Sequence, residues 1–342
     1  MAGLAAAAHA VQRGARVHVL EKGDRAGGSM LLSSGVIWRH REFADFRREC
    51  PDGDAALQRA VFDRLDADLA WLESLGARVL ARETGNPLTA GVRFDTRALT
   101  EALVKAAGGV RLREPLTDIP GDVPLVLATG GFQADPELVG RYVTPQAPDL
   151  MLRAAPWSTG DGLRLGLAAG ATLSAGMDEF YGRNMPAPPA LVPEGDFVHA
   201  AQLYAAHATV RNRDGEVYEP RTWSEIDVVQ WTARQPGARA WYEVTDSRRA
   251  MRVRDRTVGE MIDAGLAAGA PGGRRDGVTT IEVVAGITTT LGGLRIDEHA
   301  RAAPRLYAAG ADAGGFATGG YASGLAAALV CGRIAAESAL DG

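Results

Sequence analysis

The chain has 342 residues, 46% of them hydrophobic and 23% charged, with a net charge of −5. This length allows two domains around a sizeable core, and the composition is that of an ordinary globular protein. Nothing in the charge balance recommends nucleic acid or an anionic membrane as partner, since either favours a basic surface.

Cys50 and Cys331 lie far apart, and neither they nor the histidines show metal-ligand spacing. No apolar run approaches the ~18 residues of a membrane span, and the N-terminus lacks the regions of a secretion signal. A reduced, cytoplasmic protein without metal or membrane span is expected.

Residues 2–13, rich in alanine, read as a tightly packed helix closed by Gly14, followed by a strand from Arg16 to Leu20. Glu21, with Lys22 beside it, then stands at the end of the second strand of a βαβ unit. There an acidic residue accepts hydrogen bonds from a ribose, about 20 residues beyond a glycine turn. Of that turn only Gly3 is present, as the glycine that lets helix and strand pack closely. The first strand and the tight turn are missing. The expectation is therefore that upstream codons supply an apolar strand ending Gly-x-Gly, and that the chain is otherwise a defective remnant.

Arg25–Gly35 forms a second Gly/Ser loop, in which Gly27, Gly28, Ser29, Ser33, Ser34 and Gly35 suit a pyrophosphate and a sugar. Residues 54–75 place Leu57, Val61, Leu65, Leu69 and Leu72 on one face and stop at Gly76, predicting an amphipathic helix. A further helix, 96–107, follows Asp95. The apolar run Pro124–Ala128 reads as a buried strand entering Thr129-Gly130-Gly131, whose bare backbone suits an adenosine. Ser158–Leu163 opens another helix, capped by Thr159 or Asp161 and ended by Gly170.

From about 172 to 289 the chain turns richer in aromatic residues, charge and proline, which marks a candidate substrate domain. His199 and His207 would share a helix face if that segment were helical. Leu306–Ala309 reads as a strand that breaks at Gly310, crosses a glycine-rich loop and enters a long helix after Ser323 and Gly324. Free N–H groups at such a helix start favour a negative group.

Gly3–Glu21, Ala128–Gly131, Thr290–Leu294 and residues 306–337 follow one another in this order, with Ser158-Thr-Gly-Asp-Gly162 among them. On these blocks nearly the whole chain resembles the FAD-dependent fumarate reductase and 3-ketosteroid dehydrogenase superfamily. The resemblance implies an α/β fold. A Rossmann-like FAD-binding domain, its first strand missing, would occupy 1–171 and 290–342, with an α+β substrate domain inserted over 172–289. It implies adenosine contacts at Glu21, Thr129 and Gly130, and phosphate or ribityl contacts at Gly28, Ser29 and Asp312, where relatives usually have Glu. Gly310 shapes the turn, and the N–H groups around Ser323, Gly324 and Leu325 would face the flavin. No histidine occupies the Gly/Ser loop, which points to noncovalent FAD.

Such flavoproteins move hydride between a substrate carbon and flavin N5 while a side chain handles a proton on the neighbouring carbon. The block Ala240–Arg249 resembles the one that carries a proton-shuttling arginine, which would give that role to Arg249. Its surroundings differ from the dicarboxylate branch: Glu225 stands for a companion Arg, Thr288 and Thr289 for a His pair, and Gly319-Gly320-Tyr321 for a clamping Arg. Gly320-Tyr321-Ala322-Ser323-Gly324 resembles instead the Tyr-x-Ser arrangement of the 4-ene-forming ketosteroid dehydrogenases. Tyr321 and Ser323 would then bind a ketone oxygen, with Tyr321 assisting enolisation and Tyr181 a further aromatic candidate for substrate contact. The sequence thus reads as an FAD-dependent dehydrogenase or reductase acting on a C–C bond beside a carbonyl of a small molecule, a ketosteroid-like ketone favoured. The alternatives are a fumarate-reductase-like ene-reductase on a carboxylate and an inactive, flavin-free fragment. The electron acceptor is left open.

Overall fold

Helix Ala2–Gln12 buries almost only alanine, so its backbone can lie close against the C-terminal helix Gly324–Asp341. In the computed structural model, which describes all residues except 122, 221–224 and 342, this pair is tied by polar contacts as well as by packing, with Arg13 2.9 Å from Asp341. His9 lies 3.1 Å from Glu337, which also accepts a two-pronged contact from Arg64 at 2.8 and 2.7 Å. Arg333 pairs with the buried Asp68. Burial raises the Asp68 carboxyl to about 6 even against its arginine partner.

Helix Ala55–Ser74 begins at Asp54, whose carboxylate caps the N–H groups of Ala56 and Leu57. The five apolar positions on its predicted face are all buried, each contributing roughly 1.5–3 kcal/mol. Helix Thr96–Ala106 is capped in the same way by Asp95. These two helices match their sequence pattern because cap, apolar spacing and terminal glycine agree.

The strand expected at 16–20 is paired only at Leu20–Glu21, parallel to Arg111–Leu112. Around it Arg111 N donates to Val19 O, Arg113 N to Gly23 O and Glu114 N to Glu21 O. A separate three-stranded sheet joins Arg301–Ala303, Leu306–Ala308 and Leu125–Leu127, the last two parallel. A third sheet, antiparallel, runs Val36–His40, Thr89–Phe94 and Val79–Ala81.

The chain divides into two units: Met1–Asp135 with Ala154–Glu179 and Thr289–Gly342, and Pro136–Arg153 with Phe180–Thr288. These limits differ from those drawn on composition because two short segments exchange places. Residues 136–153 join the second unit through Met151–Leu152, which pairs with Gly286 and Ile287, and through the Thr144 hydroxyl donating to the Ala233 carbonyl. Residues 172–179 stay with the first, where Ser174 N donates to Gly293 O and Leu291 N to Glu179 O.

The second unit is built on a six-stranded sheet centred on the long strand Val278–Thr290, against which Arg239–Thr245, Gly272–Arg275, Phe180–Pro186 and Met151–Leu152 pair. Thr209–Arg211 extends it beyond Arg239–Thr245. The core packs Tyr204 edge-on to Tyr242, with Val244, Ile262, Ile281 and Val283 around them. Residues 199–207 are not an α-helix: only a single 3-10 turn, Ala205–His207, forms there, so His199 and His207 share no helix face.

Candidate active site

The strand Leu306–Ala308 breaks at Gly310, and the loop that follows is clipped onto the turn after helix Phe43–Glu49. Gln58, fully buried, donates from one amide nitrogen to the carbonyls of Cys50 (2.9 Å) and Phe316 (2.8 Å). Asp54 N donates to Gly315 O at 2.8 Å. At Gly320 a Cβ would lie 1.5 Å from the Glu49 carbonyl oxygen, so only glycine lets the loop come this close. The next residue is Tyr321, and its placement is thus set by backbone contact.

Helix Gly324–Asp341 starts two residues beyond Ala322. The Ser323 hydroxyl accepts from Ala326 N (3.3 Å) and from Trp38 N (3.4 Å). The N–H groups of Gly324 and Leu325 have no acceptor among the described residues. Nothing lies within 4 Å of where a Gly324 Cβ would stand. Two free donors at the positive end of an 18-residue helix, facing open space, suit a delocalised anion.

Asp312, implied as a cofactor contact, is 1% exposed and points at the Thr129–Gly131 turn. Its carboxylate accepts from Thr129 N, from the Thr129 hydroxyl (3.0 Å) and from Gly131 N (3.1 Å). Burial pushes its carboxyl upward while these donors pull it down. The side chain thus holds the two glycine turns together, leaving Gly130 half-buried between them.

Glu21 takes one hydrogen bond at Oε1, from Gly23 N at 2.7 Å, and Oε2 has no donor among the described residues. Lys22 is committed to the protein: its ammonium donates to Thr159 Oγ1 and Asp161 Oδ2, each at 2.6 Å. That contact corrects the expected helix cap, since Gly160 occupies the N-cap of Asp161–Ala168 and neither neighbour's side chain serves. In the Gly/Ser loop Gly27 and Gly28 enter a 3-10 turn, and the Ser29 hydroxyl accepts from Ala155 N at 3.0 Å. Ser33 bonds within the loop, to Met30 O and from Gly35 N. Ser34 O accepts from Arg93. Gly3 sits on Ala128, where a Cβ would meet its side chain at 3.2 Å.

Trp38 and His40 were not singled out in the sequence. They lie two apart on strand Val36–His40 and so face the same side. The Trp38 ring is 5.3 Å from both Tyr321 and His40. His40 is 1% exposed, and neither ring nitrogen has a hydrogen-bond partner. Burial lowers its pKa, opposed by Glu49, the Tyr321 backbone and Asp45. A histidine held neutral in the fold stabilises least where the unfolded chain is protonated. Stability should therefore fall as pH drops below about 6.5. His40→Phe is expected to flatten part of that loss, seen in thermal melts at pH 5 and 8; an unchanged difference contradicts this.

Arg249 and Tyr181 belong to the second unit. The Arg249 guanidinium grips both oxygens of Asp263 (2.8 and 2.7 Å) and Thr279 Oγ1 (3.1 Å). To shuttle a proton it would have to leave that pair. Tyr181 is half-buried, with the Arg183 guanidinium 4.9 Å from its ring centre. Glu225 is half-buried, desolvation raises its carboxyl to about 6, and it accepts from Ala205 N.

The nucleotide-type helix, paired glycine turns and open helix start define a dinucleotide-binding flavoprotein fold. The family model of the FAD-binding domain matches residues 119–325, and that of an NAD(P)-binding Rossmann-like domain matches 1–34. The chain belongs to the FAD-binding domain family.

Three solved structures share its fold. The 3-ketosteroid Δ4-(5α)-dehydrogenase of Rhodococcus jostii RHA1, in complex with 4-androstene-3,17-dione, is 18% identical at a TM-score of 0.74, over 99% of this chain and 94% of that one. The 3-ketosteroid Δ1-dehydrogenase of Sterolibacterium denitrificans is 15% identical at 0.72, over 99% and 97%. The open conformation of a flavocytochrome c3 fumarate reductase is 20% identical at 0.71, over 99% and 76%. No curated protein sequence matches significantly. Among the described residues no helix is long and apolar enough to cross a membrane, and no group of His, Cys, Asp or Glu could hold a metal ion.

The residues present fit FAD: an unengaged Glu21 oxygen, bare turns at Gly28 and Gly130, and two free N–H groups at the start of a long helix.

Proposed function

We propose that the chain is a dehydrogenase or reductase acting on a C–C bond next to a carbonyl, with a ketosteroid-like ketone as substrate. The reading rests on one observation: Tyr321 and Ser323 flank the helix start whose free N–H groups lie at Gly324 and Leu325. FAD, when bound, supplies the hydride acceptor or donor. The Tyr321 phenol donates a hydrogen bond to a ketone oxygen and so acidifies the adjacent carbon. Ser323, held by Ala326 N and Trp38 N, adds a second hydroxyl. The likeness to the Rhodococcus enzyme, whose complex holds a steroid dione, supports this substrate class. Adding the saturated analogue of 4-androstene-3,17-dione to the oxidised protein, or 4-androstene-3,17-dione itself to the photoreduced protein, should change flavin absorbance; a response of the photoreduced protein to fumarate alone would favour the carboxylate alternative.

Noncovalent attachment is part of the same reading. Arg25–Gly35 contains no histidine to bond the flavin ring. Acid precipitation is expected to leave the flavin in the supernatant, and a yellow pellet would contradict it.

A further inference from the structure

We propose that Trp157 is a positioning residue for the adenosine half of the cofactor: its indole lies on Gly23 and fixes the turn that presents the Glu21 carboxylate. At Gly23 a Cβ would stand 2.3 Å from Cε2 of the Trp157 ring and 2.6 Å from both Cδ2 and Cζ2, so only bare backbone admits the indole. That backbone belongs to the carboxylate's own turn. Gly23 N donates to Glu21 Oε1 at 2.7 Å, and Gly23 O accepts from Arg113 N at 3.0 Å. Gly23 is buried, so the bond that orients Glu21 is shielded from water and strengthened. Oε2, which has no donor among the described residues, stays available to a ribose hydroxyl.

The same loop holds the neighbouring residues. Lys22 donates to Thr159 Oγ1 and Asp161 Oδ2, each at 2.6 Å. The Arg25 guanidinium carbon lies 5.2 Å from the Trp157 ring centre, a cation–π contact that steadies the half-buried indole.

The next residue, Ser158, reaches the other segment expected at adenosine. At Gly130 a Cβ would lie 2.9 Å from Ser158 Oγ. Ser158 O accepts from Ala134 N at 3.0 Å, and Gly160 N donates to Gly131 O at 2.9 Å. Adjacent side chains of one loop thus abut Gly23 and Gly130. The loop sets the spacing of the Glu21 turn from the Thr129–Gly131 turn, and the indole is the part that fixes Glu21.

The inference rests on the FAD fit described above and not on the ketone chemistry, since its readout needs no turnover. The flavin-stripped protein is titrated calorimetrically with FAD and with ADP, which carries the adenosine half alone. Wild type is expected to bind both. Trp157→Ala should weaken the two by the same factor, ten-fold or more, at least about 1.4 kcal/mol, because the loss lies in the half they share. Trp157→Phe, which keeps a ring over Gly23, should return ADP to within three-fold of wild type. Gly23→Ala drives the ring off from the other side of the contact and should weaken ADP likewise; it is read if Trp157→Ala does not fold. FAD binding that falls more than three-fold further than ADP binding marks general damage to the fold and overturns the assignment. So does ADP binding in Trp157→Ala within two-fold of wild type, no recovery in Trp157→Phe, or no ADP binding by wild type. Absence of FAD binding by wild type overturns the cofactor fit itself.

Discussion

Replacing Tyr321 by phenylalanine is expected to slow ketone-dependent change of the flavin absorbance by ~10²–10⁴-fold, the range for losing a positioned acid or base. The effect should fall on the chemical step. The Tyr321 ring keeps its contact with Trp38, whose ring centre is 5.3 Å away, so the loop is expected to stay in place and flavin content to stay unchanged. By contrast Arg249→Ala, which frees Asp263 and Thr279, should leave the rate within about two-fold, as suits a group engaged elsewhere. Stopped-flow measurement of both variants separates a phenol from an arginine as the proton-handling group. A Tyr321→Phe rate within ten-fold of wild type removes the tyrosine from that role.

Gly320→Ala is expected to be the most damaging single-methyl change in the site. Its Cβ would meet the Glu49 carbonyl at 1.5 Å, and the obstacle is backbone, which cannot rotate away. The cost should exceed the ~1–3 kcal/mol of an ordinary overpacked core position. The loop Gly319–Ser323 would then lift from its seat on Cys50 and Pro51, moving Tyr321 and the helix start together. Lower flavin affinity and a lower Tm should appear in the same variant. Gly324→Ala, one turn on, meets nothing within 4 Å and should change stability by less than about 0.5 kcal/mol. Equal behaviour of the two alanine variants contradicts the close-approach account.

Where local signals agree, the fold is legible in the sequence. Asp54 and Asp95 cap helices whose apolar spacing and terminal residues point the same way, and both helices form where expected. The helix start at Ser323–Gly324 is equally readable, because a glycine loop precedes a long alanine-rich run. What could not be read is set by distant partners. Residues 136–153 carry no compositional mark of the second unit; a two-residue strand against Gly286 and Ile287 places them there. Lys22 meets Thr159 and Asp161 across 137 and 139 residues of chain, and that contact removes the expected cap. Trp38 and His40 had one available signal, their i, i+2 spacing on a strand, but nothing local shows that Tyr321 would cover them.

We infer that Glu21, Gly28, Gly130 and the free N–H groups of Gly324 and Leu325 together hold FAD. Equilibrium titration of the flavin-stripped protein with FAD, followed by the ~450 nm band and by flavin fluorescence, tests it most directly. Saturation at one FAD per chain and a higher Tm in the loaded protein are expected. A chain that folds cooperatively yet neither shifts the flavin spectrum nor gains stability from FAD would contradict it.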